Sequence, residues 1–193
     1  MSPFTDILMV EDDPGDARLA LAVFRTLKIA DKCAVVSDGE QALEFLQAQG
    51  RFAQRPPGLP RLILLDLKMP RMDGFEFLQR IKADEQFRLI PVVALTSSRE
   101  ERDVERAYDL NVNAYVVKSI DFTEHRTTLE VLARYWYNVN ERPPGFLERK
   151  ALAGSGGAAR SGLSSRPSME WFPRPSMGWF WAPCWPPSSE CFC

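Results

Sequence analysis

Five short, unbroken apolar runs, spaced between stretches of helical periodicity, constrain this chain more than any other feature. They are Ile7–Val10, Cys33–Val36, Leu62–Leu65, residues 91–95 and Ala114–Val117. None alternates polar with apolar, so each reads as a strand covered on both faces, as in a parallel sheet. Between them, Leu19-Val23-Phe24-Leu27, Ala42-Phe45-Leu46, Phe75-Phe77-Leu78-Ile81 and Val104-Ala107-Tyr108 fall at i, i+3, i+4 spacing, and residues 122–139 supply a fifth helix. Asp13 before Pro14 predicts an N-cap with proline in the first turn, and Gly50 predicts the stop of the second helix. Cys33 reads as strand core. Strand and helix in strict alternation specify right-handed crossovers and an α/β fold. The expectation is a flavodoxin-like (βα)5 doubly wound parallel sheet of strand order 2-1-3-4-5, with its ligand crevice at the carboxyl ends of the strands.

The residues that fall at those ends are polar. Strand one runs into Glu11-Asp12-Asp13, strand three into Asp66, strand four into Thr96-Ser97-Ser98, and strand five into Lys118. Carboxylates gathered in one crevice raise one another's pKa unless a cation intervenes. A hard, oxygen-seeking ion such as Mg2+ answers that need. Lys118 supplies a compact charge suited to phosphate, and the Thr96 hydroxyl can donate to a phosphoryl oxygen. Asp66, which closes a buried strand just before the Pro70 and Gly74 punctuated loop, is the candidate phosphoryl acceptor.

Glu11-Asp12, Asp66 with Met69-Pro70 and Asp73-Gly74, Thr96, Tyr115 and Lys118 together resemble the motif set of CheY-like receiver domains of two-component response regulators. The resemblance spans roughly residues 5–138. It implies that Asp66 takes its phosphoryl group from a phosphohistidine of a sensor histidine kinase. It further implies Asp12 and Asp66 as direct Mg2+ ligands, Glu11 acting through water, and the Lys68 backbone carbonyl completing the protein ligands. Thr96 and Tyr115 would form the switch pair, moving the face built from the fourth helix, fifth strand and fifth helix. The run from Ala107 to Tyr115 and the Arg134-Tyr-Trp136 segment are similar to stand-alone regulators that partner phytochrome kinases. The family usually has proline after the strand-five lysine, with a cis bond between them. Here Ser119 follows, so a trans bond would re-aim the Lys118 ammonium or the start of helix five.

Composition bounds the remaining classes. With 193 residues and 45% apolar content, the chain can bury one good core. Its net charge of -2 divides into about -4 over residues 1–142 and about +2 beyond. Neither part carries the basic stripe of a nucleic-acid binder. No segment approaches the roughly 18 apolar residues of a membrane helix, and the amino terminus lacks a signal peptide's pattern. A cytoplasmic protein with reduced cysteines is expected. His125, the one histidine, is expected to be exposed and idle, and the charged segment 99–106 a solvated helix face. Leu129, Leu132, Trp136 and Val139 trace a stripe on helix five, flanked by Tyr135 and Tyr137. That excess of aromatics predicts a homodimer through the terminal helix or the face beside it.

Beyond residue 142 the character changes. Residues 143–193 are rich in Gly, Ser, Pro and Trp without a structural period, and are expected to be disordered. They hold a near-repeat, Arg166-Pro-Ser-Met-Glu-Trp-Phe172 and Arg174-Pro-Ser-Met-Gly-Trp-Phe180. Tandem docking motifs would explain it, but a readthrough extension explains four exposed tryptophans better. Cys184, Cys191 and Cys193 lack zinc spacing. The reading is therefore a receiver over 1–142 that acts by phosphorylation-dependent contact with an unknown downstream protein, and is not a turnover enzyme. A phosphorylation-independent scaffold is one rival. An aspartate-based phosphatase is the other, but it would want an acid where Lys68 stands.

Overall fold

The computed structural model describes residues 5–141. All fall within the first of the two units into which the chain divides, Met1–Gly157. The expectations made for the tail, including its disorder, repeat and cysteines, lie outside the described residues.

Five parallel strands, β1 (Ile7–Val10), β2 (Cys33–Val36), β3 (Leu62–Leu65), β4 (Val92–Thr96) and β5 (Ala114–Val117), form one sheet in the order β2-β1-β3-β4-β5. Five helices connect or follow them: α1 (Pro14–Thr26), α2 (Gly39–Gln47), α3 (Gly74–Ala83), α4 (Glu101–Asp109) and α5 (Phe122–Arg134). This is the flavodoxin-like fold the alternation predicts. Two core clusters follow from the two-residue period of the strands. Leu8, Val10, Ile63, Leu65, Val92 and Ala94 face α2, α3 and α4. Ile7, Met9, Leu62, Leu64, Val93 and Leu95 face α1 and α5. Both faces being covered is why the runs are apolar throughout.

Helix starts are set by aspartates. Asp13, Asp38, Asp73 and Asp121 each accept the backbone N–H three residues on, at 2.8 Å, and so cap α1, α2, α3 and α5. Only α4, preceded by Glu100, has no side-chain cap.

Four details depart from the sequence expectations. The fourth strand spans Val92–Thr96, because Pro91 has no N–H to give the ladder and contributes only its carbonyl, to Ile63 N. Gly50 does not stop α2. Ala48 takes the left-handed cap at φ 53°, and Arg55 reaches back to satisfy the Phe45 and Leu46 carbonyls, while Gly50 opens a separate 3-10 turn. Cys33 is half-buried, because β2 is an edge strand. His125 is buried, not exposed, and its Nε2 meets no hydrogen-bond partner among the described residues.

The end of the fifth helix also changes pitch. Tyr135–Val139 is a π-helical turn. The wider turn moves Val139 off the row of Leu129, Leu132 and Trp136, which pack on the core, and leaves it exposed beside Val131 and Tyr135. Tyr137 is half-buried there, its hydroxyl accepting from Lys32 and its ring within cation–π reach of Lys32 and Arg61.

Candidate phosphoryl-acceptor site

The strand ends bring four polar residues to one edge of the sheet. Glu11 follows β1, Asp66 follows β3, Thr96 closes β4 and Lys118 follows β5. The Lys118 ammonium donates to Glu11 Oε2 at 2.7 Å, Asp66 Oδ2 at 2.7 Å and Asp16 Oδ2 at 2.8 Å. Its side chain is only 9% exposed. Asp66 Oδ1 accepts the Lys68 backbone N–H at 3.0 Å, which orients the carboxylate within its own loop. Glu11, Asp12 and Asp66 each offer an oxygen within 4.8 Å of the others, and Asp12 is open to solvent.

Electrostatics explain what such a cluster needs. Burial pushes the Glu11 carboxyl up to about 7 against the pull of the Lys118 ammonium, and the charges of Asp66 and Asp16 add to the rise. Burial also disfavours the Lys118 ammonium, but the hydrogen bonds it donates to Asp16, Asp66 and Glu11 outweigh it and hold its pKa above the ordinary lysine value. One ammonium therefore serves an excess of carboxylates. The donors are hard oxygens in a partly open pocket, which fits a small divalent cation.

The loop after β3 allows this geometry only because residue 74 is glycine. A Cβ there would stand 2.3 Å from the Asp66 carbonyl oxygen and 2.6 Å from Leu67 Cα. On the other side of the site, Thr96 is fully buried and its Oγ1 accepts the Ser98 N–H at 3.4 Å. Ser98 Oγ donates to Asp103 at 2.5 Å, and Tyr115 OH donates to the Ser98 carbonyl at 3.1 Å. The Lys68 ammonium bridges to Glu100 at 3.5 Å and Asp103 at 3.4 Å. Lys68 thus ties the loop after β3 to the start of α4, and Ser98 links that start to Thr96 and Tyr115.

The Lys118–Ser119 bond is trans, and the ammonium still reaches Asp66. Ser119 instead organises the approach to α5, donating to Glu124 at 2.7 Å and accepting from Asp121 N at 3.1 Å. Asp16 is the site residue that the sequence reading passed over. Its signal was its place in the first turn of α1, three residues after the cap, where the helix opens onto the strand ends.

The model for the response regulator receiver domain matches residues 7–130. The chain belongs to the response regulator receiver family. The chain is 40% identical to the response regulator Rcp1 of Synechocystis sp., over 67% of its own length and 87% of Rcp1. It is 38% identical to the probable methanogenesis regulatory protein FilR2 of Methanothrix harundinacea, over 71% of its length and 86% of that protein. The crystal structure of the phosphorylated cyanobacterial phytochrome response regulator RcpA superposes with a TM-score of 0.68 at 34% identity, over 72% of the 193-residue chain and 99% of RcpA. The Mn2+-bound form of Rcp1 aligns with a TM-score of 0.64 at 38% identity, over 71% of the chain and 97% of Rcp1. The receiver is thus a two-component signalling protein whose relatives include phytochrome-associated regulators, and its acidic pocket is compatible with Mg2+.

Proposed function

We propose that this receiver accepts a phosphoryl group on Asp66 from the phosphohistidine of a sensor histidine kinase of the phytochrome class, and signals by protein contacts that depend on it. The observation that carries the reading is the Lys118 ammonium seated on Asp66 and Glu11 within the acidic cluster. The relatives named for phytochromes and the Mn2+-bound Rcp1 support the kinase class and the metal.

Asp12 and Asp66, the Lys68 carbonyl, and Glu11 through a water would hold Mg2+. The ion supplies positive charge that offsets the carboxylates and the incoming phosphoryl oxygens. An Asp66 carboxylate oxygen attacks phosphorus in line. The phosphorus–nitrogen bond breaks as the phosphorus–oxygen bond forms, and the departing imidazole keeps that electron pair and takes a proton from solvent. Lys118 neutralises one phosphoryl oxygen, and Thr96 turns its hydroxyl to another. Thr96 movement pulls on Ser98, and through it on the Tyr115 hydroxyl and Asp103 of α4. A two-state α4 surface is biased in this way. The donor's approach is served by a groove of about 410 Å³ beside the site, lined by Asp12, Arg18, Leu21, Gln41 and Arg51. The outer row of α5, Val131, Tyr135 and Val139, is the surface we assign to a second copy of the chain.

Incubating the full chain with acetyl phosphate and reading its intact mass tests the chemistry. One phosphoryl group should add in the presence of Mg2+, with none in Asp66→Asn or without the metal. A folded wild type that stays unmodified would leave the scaffold reading in its place.

A further inference from the structure

Arg71 stands in the middle of the loop that joins β3 to α3 and holds a left-handed backbone, φ 65°. That conformation disfavours a residue with a side chain, so something must hold it. The Arg71 guanidinium donates from Nε to Asp38 Oδ2 at 3.0 Å and makes a second, closer bond to the same oxygen from Nη2. Asp38 belongs to the corner between β2 and α2, and its side chain is 1% exposed. A second link runs alongside, the Gly39 N–H donating to the Met72 carbonyl at 3.2 Å.

The two oxygens of Asp38 have separate tasks. Oδ1 caps α2 through the Gln41 N–H at 2.8 Å. Oδ2 faces Arg71 and also accepts from Gln41 Nε2 at 2.8 Å. Burial alone would raise the Asp38 carboxyl, but the Gln41 amide and the Arg71 guanidinium outweigh it and leave its pKa below the ordinary value, so the pair stays charged. These hydrogen bonds go to the loop and to α2, not into the acidic cluster. The loop they grip also carries Lys68, and its far end is pinned by Gly74, whose N–H donates to the Leu67 carbonyl at 3.1 Å.

We infer that the Asp38–Arg71 ion pair is a positioning device for the metal site: it holds the 67–73 loop in the shape that presents the Lys68 carbonyl to a divalent cation. It sets cation affinity without entering phosphoryl transfer. The inference rests on the metal reading given under the proposed function. Partners that orient metal ligands from outside the coordination sphere commonly change affinity by about 10- to 100-fold when lost.

Calorimetric titration of the full chain with Mg2+ tests it, on the wild type, Asp38→Asn, Arg71→Met and Arg71→Gly, with thermal melts of each. Asparagine keeps an oxygen for the α2 cap while removing the charge that Arg71 meets. Glycine removes the backbone penalty and the ion pair together. All three variants should bind Mg2+ at least about tenfold more weakly than wild type. At saturating Mg2+ their phosphorylation by acetyl phosphate should stay within about twofold of wild type, the split expected when only uniform binding is lost, equal in ground and transition state. Arg71→Gly binding as tightly as wild type would overturn the inference, since the loop would then need only a permissive backbone. Wild-type affinity in Arg71→Met would overturn it too, and because Arg71 is half-exposed these two variants carry the test should Asp38→Asn fail to fold. A wild type that binds no Mg2+ would instead overturn the metal reading itself, and the inference with it.

Discussion

Lys118 donates to three carboxylates from three different elements, and the consequences are testable one side chain at a time. Glu11 is held protonated up to about 7 chiefly by its burial. A carboxyl whose folded pKa lies above its unfolded value stabilises the protein at low pH, and loses that contribution as pH rises through the folded value. The metal-free receiver should therefore lose stability between about pH 4.5 and 7 from this group. Thermal melts of metal-free Glu11→Gln across that window should show a flatter pH dependence, and an unchanged slope would show that another group governs it. Asp16 calls for a different measurement. It is about one-third exposed and pairs with the Lys118 ammonium, for which an incoming phosphoryl group would have to compete. Asp16→Asn should lengthen the lifetime of the aspartyl phosphate by roughly threefold, the effect of a partly exposed ion pair worth ~0.6 kcal/mol. A shorter lifetime would mean that Asp16 steadies the lysine for the phosphoryl group and does not compete with it.

At the scale of elements, the helices are anchored unequally. α3 buries Phe75, Phe77, Leu78 and Ile81 beneath an aspartate cap, whereas α4 buries only Ala107 and has no side-chain cap. Its start is tied down instead through Asp103, to Ser98 and Lys68. An element with little buried area and polar tethers opens at low free-energy cost. Amide exchange should therefore be faster in α4 than in α3, and phosphorylation of Asp66 should change α4 protection more than that of α3. Equal protection of the two helices before and after phosphorylation would remove α4 as the responding element. The periodicity of each helix was legible from its apolar residues. The unequal anchoring was not, because it depends on which neighbours a cap and a helix face meet.

For the whole molecule, a row of apolar residues on the outside of the terminal helix is left uncovered by the fold. Val131 is 60%, Tyr135 50% and Val139 65% exposed, at intervals that set them in one row. Sedimentation should show the full chain as a dimer, and Tyr135→Glu should shift it to monomer while leaving acetyl phosphate labelling intact. A monomeric wild type at working concentration would release that row for another partner. The alternation of five strands with helices, the four crossovers it implies and the four strand-end positions of Glu11, Asp66, Thr96 and Lys118 were legible in the sequence alone, because an unbroken apolar run, a period of 3.6 and a polar residue closing such a run are local signals. Only the tertiary structure decided that Asp16 joins Lys118, that His125 is buried, that Ala48 and Arg55 end α2, that Val139 turns outward and that Asp38 grips Arg71. Each of these depends on pairs distant in the chain or on a helix changing pitch, and no local pattern encodes which distant groups will share a space until the sheet has brought them together.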